Sequence, residues 1–199
     1  MASGYKGFKK VRIQPGISNK KDQQYLYTMP ILIAEEKDVP SLVALMDSAY
    51  RGENSKQGWT SEADLFIGNR RTDEATVANL VKKPGAVFLK YLNEEGSLEG
   101  CVFLHKKDNR LYLGMFSVSP LAQGKGIGKK LLTAADDYAK EQNCAFIFMT
   151  VITVREDLIA WYERNGYHKT GNVLPFPVDE RYGIPTQPLE MLVLEKAIC

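Results

Sequence analysis

The clustering that a metal site needs is missing from this 199-residue sequence. Its three cysteines, Cys101, Cys144 and Cys199, and two histidines, His105 and His168, do not lie at ligand spacing from one another. A tetrahedral site needs about four such groups brought together, so no metal is expected. The cysteines show no paired pattern either. Cys101 and Cys144 sit inside apolar runs and read as buried thiols of a reducing compartment. No apolar stretch approaches the roughly 20 residues that span a bilayer. The opening MASGYKGFKKVRIQPG carries positive charge without the apolar segment of a secretory signal, so the expected location is cytoplasmic. A formal net charge of +2 is too small to imply nucleic acid as the main partner. Basic and aromatic residues do not interleave as they do in single-strand stacking platforms. Neither nucleic acid nor membrane is an expected partner.

The apolar share, 44%, suits one domain with a full core. Residues 1–29 differ from the rest, because Lys6, Lys9, Lys10, Arg12, Lys20 and Lys21 alternate with Gly, Ser and Pro. They read as a basic tail, mobile at least in part, or as an arm that packs on a partner. Residues 30–199 form the expected domain. Ile31–Ile33 reads as a short buried strand. Asp38 and Pro40 open a helix to about Tyr50, with Leu42, Val43, Leu45, Met46 and Ala49 on its apolar face. A polar loop over 51–58 precedes a second helix, capped by Thr60 or Ser61 and reaching Gly68. Asp73 caps a third, to Lys82. Strands at 86–92, 98–105 and 110–118, joined by short polar turns, predict an antiparallel meander. A helix over 126–141, a buried strand over 145–151, a helix over 155–164 and strands over 167–173 and 189–194 complete the chain. A Pro-rich loop lies between the last two. The order predicts one mixed α/β sheet with helices on both faces.

The most informative segment runs from Ser117 to Lys130, after a strand and into a helix. Gly124, Gly126 and Gly128 remove the side chains that would keep a ligand from the backbone. The first amides of a helix lack internal acceptors, and together with the helix dipole they attract an anion. Lys125, Lys129 and Lys130 add charge. A phosphate or pyrophosphate is the expected ligand, set against a glycine-rich turn that binds nothing. A P-loop would need Gly at Gln123 and Ser or Thr at Lys130. A dinucleotide fingerprint would need Gly at Lys129 or Leu131. Both readings fail.

Gln123-Gly124-Lys125-Gly126-Ile127-Gly128 instead resembles the pyrophosphate loop of the GNAT superfamily of N-acetyltransferases, Gln/Arg-x-x-Gly-x-Gly/Ala. The resemblance covers roughly residues 30–196. It implies a mixed, mostly antiparallel central sheet flanked by helices, of α+β type, whose fourth and fifth strands splay. It also implies acetyl-CoA as co-substrate, held by Gln123, Gly124, Lys125, Gly126, Ile127, Gly128 and Lys129. Met115-Phe116-Ser117-Val118 resembles the fourth strand and its exit, and Phe116 and Val118 would offer backbone groups to the pantetheine arm. Tyr162-Glu163-Arg164-Asn165-Gly166-Tyr167 resembles the family's Tyr-Glu-x-x-Gly-Phe/Tyr. On that match Tyr162 is the general acid for the leaving thiolate; otherwise it is a core aromatic. The family often carries Asn seven residues earlier. Here Arg155 stands there, an Arg able to reach a phosphate.

An amine with pKa near ~10 must lose a proton before it attacks. The 111–116 strand offers no carboxylate for this. Glu53 and Glu62 are the candidate bases, set against solvated charges. The loops that shape the acceptor pocket in this fold carry Tyr50, Arg51, Trp59, Glu62, Arg70, Arg71, Phe176, Pro177 and Arg181. Trp59, Glu62 and Phe176 are taken as acceptor contacts, and the arginines can hold an acceptor's carboxylate. The expected acceptor is the amine of a small molecule or amino acid rather than a basic peptide. His105 and His168 receive no role. The expected function is N-acetyl transfer by direct attack, with a non-catalytic acetyl-CoA-binding sensor or subunit as the alternative, and a homodimer is possible.

Overall fold

The computed structural model describes residues 30–198. The basic N-terminal tail and Cys199 lie outside the described residues. The strands are β1 (Ile31–Ile33), β2 (Phe66–Ile67), β3 (Ala86–Leu92), β4 (Leu98–Lys107), β5 (Arg110–Val118), β6 (Phe146–Ile152), β7 (His168–Pro175), β8 (Ile184–Pro185) and β9 (Glu190–Ala197). The α-helices are α1 (Val39–Tyr50), α2 (Gly52–Ser55), α3 (Glu74–Val81), α4 (Ile127–Glu141) and α5 (Glu156–Arg164). Seven strands form one sheet in the order β1-β3-β4-β5-β6-β9-β7, while β2 and β8 pair separately. Every pairing is antiparallel except β5 with β6. This is the mixed, mostly antiparallel sheet flanked by helices that the resemblance implied.

Alternation along the strands separates two cores. Leu89, Val102, Leu104, Leu111 and Leu113 face Leu131, Ala135 and Tyr138 of α4 and Ile159 and Tyr162 of α5. Their neighbours Phe88, Cys101 and Phe103 face Leu42, Leu45 and Met46 of α1 and Val77 of α3. Gly100 lets α4 lie close on the sheet, because a Cβ there would stand 2.9 Å from Ile127 Cγ2 and 3.0 Å from Leu131 Cδ1.

The parallel pair is the feature that makes a site. β5 and β6 pair only at Arg110↔Phe146, Leu111↔Ile147 and Tyr112↔Phe148. Beyond these residues β5 stays with β4 and β6 stays with β9, so a gap opens between them toward their C-terminal ends. Met115, at φ 46°, and a register shift between Cys101 and Phe103 bend β5 at the gap.

Four expectations are corrected. Thr60 and Ser61 do not cap a helix to Gly68. Thr60 Oγ1 donates to Ala49 O and Ser61 Oγ bonds Ser55 Oγ. These hydroxyls therefore fasten the segment back to α1 and α2 instead of feeding a new helix. The chain then runs into β2, whose Phe66 packs with Ile152 and Leu189. Part of the expected 51–58 loop is the single turn α2. β1 is an edge strand, with Leu32 and Ile33 exposed rather than buried. Asp38 stands at the N-cap of α1 with Pro40 in the first turn, as expected, but its carboxylate makes no capping bond there; it accepts from the Glu35 amide at 2.7 Å and from Lys90 Nζ at 2.6 Å.

Candidate active site

The segment Gln123–Gly128 crosses the mouth of the gap. Gly124 and Gly126 have φ of +80° and +78°, a left-handed backbone that favours glycine, and a Cβ at either would meet nothing within 4 Å. The glycines make the turn, and the space beside them is open. Gly126 is the N-cap of α4, so the helix presents its first amides at this point. Gly128 sits 3.3 Å, measured from an ideal Cβ, from the Trp161 ring.

A cavity of about 490 Å³ opens here. Its floor is Phe116 and Val118 of β5. One wall is Gly124 with Gly126, Ile127, Gly128 and Lys129, a second is the Asp157, Leu158, Trp161 and Arg164 face of α5, and a third is Tyr50, Trp59 and Thr60. Trp59 and Trp161 rings lie 6.2 Å apart, and Phe116 is 6.0 Å from Trp161 and 6.2 Å from Tyr162. An anion-seeking end and a long apolar trough suit a pyrophosphate carrying an extended, weakly polar arm.

The expected coenzyme residues do different things within this frame. Lys129 is exposed and lines the cavity. Lys130 turns away to Tyr91, its Nζ 5.2 Å from the ring centroid. Lys125 is exposed outside the lining. The Gln123 side chain is spent on the protein: Nε2 donates to Thr60 Oγ1 at 2.8 Å and to Val118 O at 3.2 Å, while Oε1 accepts from the Trp59 amide at 2.9 Å. The Phe116 carbonyl accepts from the Tyr50 hydroxyl. The Phe116 and Val118 carbonyls therefore each already hold one protein donor and keep one lone pair.

Arg155 does not face the cavity as a phosphate ligand. Its guanidinium has five N–H groups, and all are engaged. Nε and Nη2 donate to Asp157 at 3.0 Å, Nη1 donates to Thr60 O at 3.1 Å and Ser61 O at 3.2 Å, and Nη2 also donates to Trp59 O at 3.0 Å. Arg155 is a clamp that holds the 59–61 turn against α5. The cation that does line the cavity from α5 is Arg164. It was not singled out from sequence, although it follows Trp161 by three residues and so shares its helix face.

Tyr162 is 4% exposed and packs behind Phe116, 5.1 Å from the Trp161 ring and 5.6 Å from Tyr167. Burial raises its pKa well above the ordinary phenol value, with the Tyr50 and Tyr167 hydroxyls adding to the effect. Glu62 is not a solvated charge. It is 5% exposed and ion-paired with Arg51, whose guanidinium lies 3.9 Å over the Phe66 ring. Glu53 is exposed and paired with Lys56. Trp59 lines the cavity, but Phe176 does not. Phe176 packs 5.3 Å from Phe66 and borders a separate shallow hollow with Val178 and Pro188. Neither histidine reaches the cavity. Among the described residues no group of His, Cys, Asp or Glu could hold a metal ion, and no helix is long and apolar enough to cross a membrane.

Comparison with known proteins places the fold within a family. The sequence model of the acetyltransferase (GNAT) family matches residues 46–167, more than half of the chain. Acetyltransferase Atu2258 of Agrobacterium fabrum is 30% identical over 83 residues, which is 42% of this chain and 59% of that protein. The chain thus spans less than two thirds of that curated relative. Among solved structures, the ribosomal-protein-S18-alanine N-acetyltransferase of Escherichia coli superposes with a TM-score of 0.63 at 15% identity, covering 84% of this chain and 92% of that one. An acetyltransferase of the GNAT family from Staphylococcus aureus gives 0.61 at 21% identity, covering 85% and 98%. At such identities the two structures share the fold alone.

Proposed function

The chain belongs to the GNAT family of acetyltransferases, and from that premise we propose that it passes acetyl from acetyl-CoA directly to the amine of a small molecule. The observation that carries the donor is the cradle at the start of α4. Two left-handed glycines open onto the cavity, the first helix amides lack a side-chain cap and can meet an anion, and Lys129 and Arg164 supply positive charge. Acetyl-CoA, when bound, supplies a thioester carbonyl open to attack by an amine. The amides of Ile127, Gly128 and Lys129 hold the pyrophosphate. Phe116 and Val118 flank the pantetheine arm in the gap between β5 and β6, and Trp161 and Leu158 keep water from it.

Tyr162 holds a proton at its hydroxyl oxygen. Its raised pKa keeps it protonated at neutral pH. A phenol above ~10 gives up a proton less readily than a thiol near ~8.5, so its part is to donate a hydrogen bond to the departing sulfur. Glu62 is committed to Arg51, and we assign it to positioning that arginine. The amine loses its proton to water. Trp59 borders the acceptor. The cytoplasm is the compartment that suits the two buried thiols.

Calorimetric titration with acetyl-CoA tests the donor. The protein should bind at micromolar level, and Gly126→Glu should weaken binding at least about tenfold by facing the pyrophosphate with a carboxylate. Because Glu is also strained at a φ of +78°, Gly126→Asn, which tolerates that backbone, is the control and should retain the fold. Equal affinity for Gly126→Glu and the parent would overturn the loop assignment. Release of free thiol with an amine panel separates a catalyst from a binding module.

A further inference from the structure

Beside Tyr50, which borders the cavity, lie two arginines and a threonine whose donors are not all satisfied. Arg51 is 3% exposed; its Nη1 donates to Glu62 and lies 3.5 Å from Tyr50 O, while its Nε is buried without a partner. Arg71 Nε stands 4.0 Å from Glu62 Oε2, beyond hydrogen-bond reach, and is likewise unpartnered. The other carboxylate at this point, Asp47, accepts from the Arg71 backbone amide at 2.5 Å and not from its guanidinium. The next residue, Thr72, is 1% exposed and its hydroxyl also has no partner. Unpaired buried donors are costly, and here three of them come from one short stretch and the arginine beside it.

Position gives these donors an address. The Arg71 guanidinium lies 5.6 Å from the centroid of the Tyr50 ring, and its side chain is 36% exposed. That ring borders the cavity, and its hydroxyl bonds the Phe116 carbonyl at the gap. Tyr50 thus stands between the partly exposed Arg71 guanidinium and the strand along which the acyl group is proposed to lie.

We propose that Arg71, backed by Arg51, receives a carboxylate of the acceptor, so that the acceptor is a small molecule bearing both an amine and a carboxylate. This rests on the acetyl-transfer reading and names its substrate class. A guanidinium offers two parallel N–H groups to a carboxylate, a geometry an ammonium lacks. Glu62 holds Arg51 in place and balances its charge, which leaves Arg71 as the partly exposed cation of the pair.

The test is acetyl-CoA-dependent thiol release with free amino acids, their carboxamides and the corresponding decarboxylated amines. The free carboxylates should be preferred in kcat/KM by about tenfold or more, the scale of one charge-assisted contact. Arg71→Gln should erase the preference by raising the acceptor KM, leave the KM for acetyl-CoA within about twofold, and be partly rescued by Arg71→Lys. Carboxamides used as well as carboxylates, or a preference that survives Arg71→Gln, would overturn the proposal. So would an absence of turnover with the whole panel while calorimetry still detects acetyl-CoA, and in that case the coenzyme assignment stands. Loss of acetyl-CoA binding as well would bring down the acetyl-transfer reading itself.

Discussion

Tyr50, the last residue of α1, donates its hydroxyl to the carbonyl of Phe116 on β5. One bond therefore joins the helix that leads into the acceptor loops to the strand that floors the cavity. Phe116 in turn packs against Trp161 and Tyr162. Tyr50→Phe keeps the ring and leaves that carbonyl one donor short, which costs about 1–2 kcal/mol in a buried setting. The thermal midpoint should fall by roughly 2–8 °C, and acetyl-CoA should bind more weakly. Thermal circular dichroism and calorimetry read both. An unchanged midpoint would mean that the bond contributes nothing in solution.

Arg155 distinguishes a clamp from a phosphate ligand. Its partners are three backbone carbonyls of the 59–61 turn and the half-exposed Asp157. Arg155→Lys keeps the charge but cannot reach all of these acceptors at once. As a clamp, it should lose stability by about 1–3 kcal/mol and raise the acceptor KM through the freed Trp59 turn, with little change in acetyl-CoA affinity. A phosphate ligand would give the reverse, a weaker coenzyme affinity on an equally stable fold. Urea unfolding and calorimetry on the same preparation decide between them.

What could be read from the sequence was what neighbours in sequence determine. The strands at 86–92 and 110–118 match in both boundaries, because their apolar runs end at polar turns. Asp73 caps α3 as expected, its carboxylate accepting from the Thr76 amide at 2.7 Å. The failures depend on distant partners. The segment from Thr60 carries capping residues, yet its fate is set by Ala49, Ser55 and Gln123, and by Phe66 packing on Ile152 and Leu189. Asp157 is a neighbour in sequence, but nothing within a helical turn of Arg155 announces that its three backbone acceptors lie near residue 60. Glu62 reads as a surface charge until Arg51 is brought against it. Only Arg164 could have been found, from its three-residue offset to Trp161.

Buried Tyr162 and Tyr167 and half-buried Tyr50 predict a specific alkaline weakness. Burial raises the pKa of Tyr50, Tyr162 and Tyr167, with the Glu62 charge adding to the first and the Asp136 charge to the last. In the unfolded chain these phenols ionise near pH ~10. Above that pH the unfolded state binds fewer protons than the folded one, so stability must fall as pH rises, by up to ~1.4 kcal/mol per pH unit for each tyrosine. Below it they contribute no pH dependence. Urea midpoints from pH 8 to 11 should be level at first and then drop, and Tyr50→Phe should make the drop shallower. A flat profile to pH 11 would show that the phenols are not shielded.

Tyr162 is proposed to donate to the departing sulfur, and Tyr162→Phe isolates its hydroxyl. The ring would keep its contacts with Phe116, Trp161 and Tyr167, and the parent hydroxyl has no hydrogen bond among the described residues to lose. The fold should therefore be nearly as stable, within about 1 kcal/mol. A donor to the departing sulfur acts mainly as charge develops there, so kcat should fall by roughly 10²-fold or more while acetyl-CoA affinity holds. The loss should ease with a thioester whose thiol is more acidic, since a better leaving group needs less help. Rate constants for acetyl-CoA and for an activated aryl thioester, measured on both proteins, give the comparison. Equal losses with the two donors would place Tyr162 in packing alone, and no loss at all would remove it from the reaction.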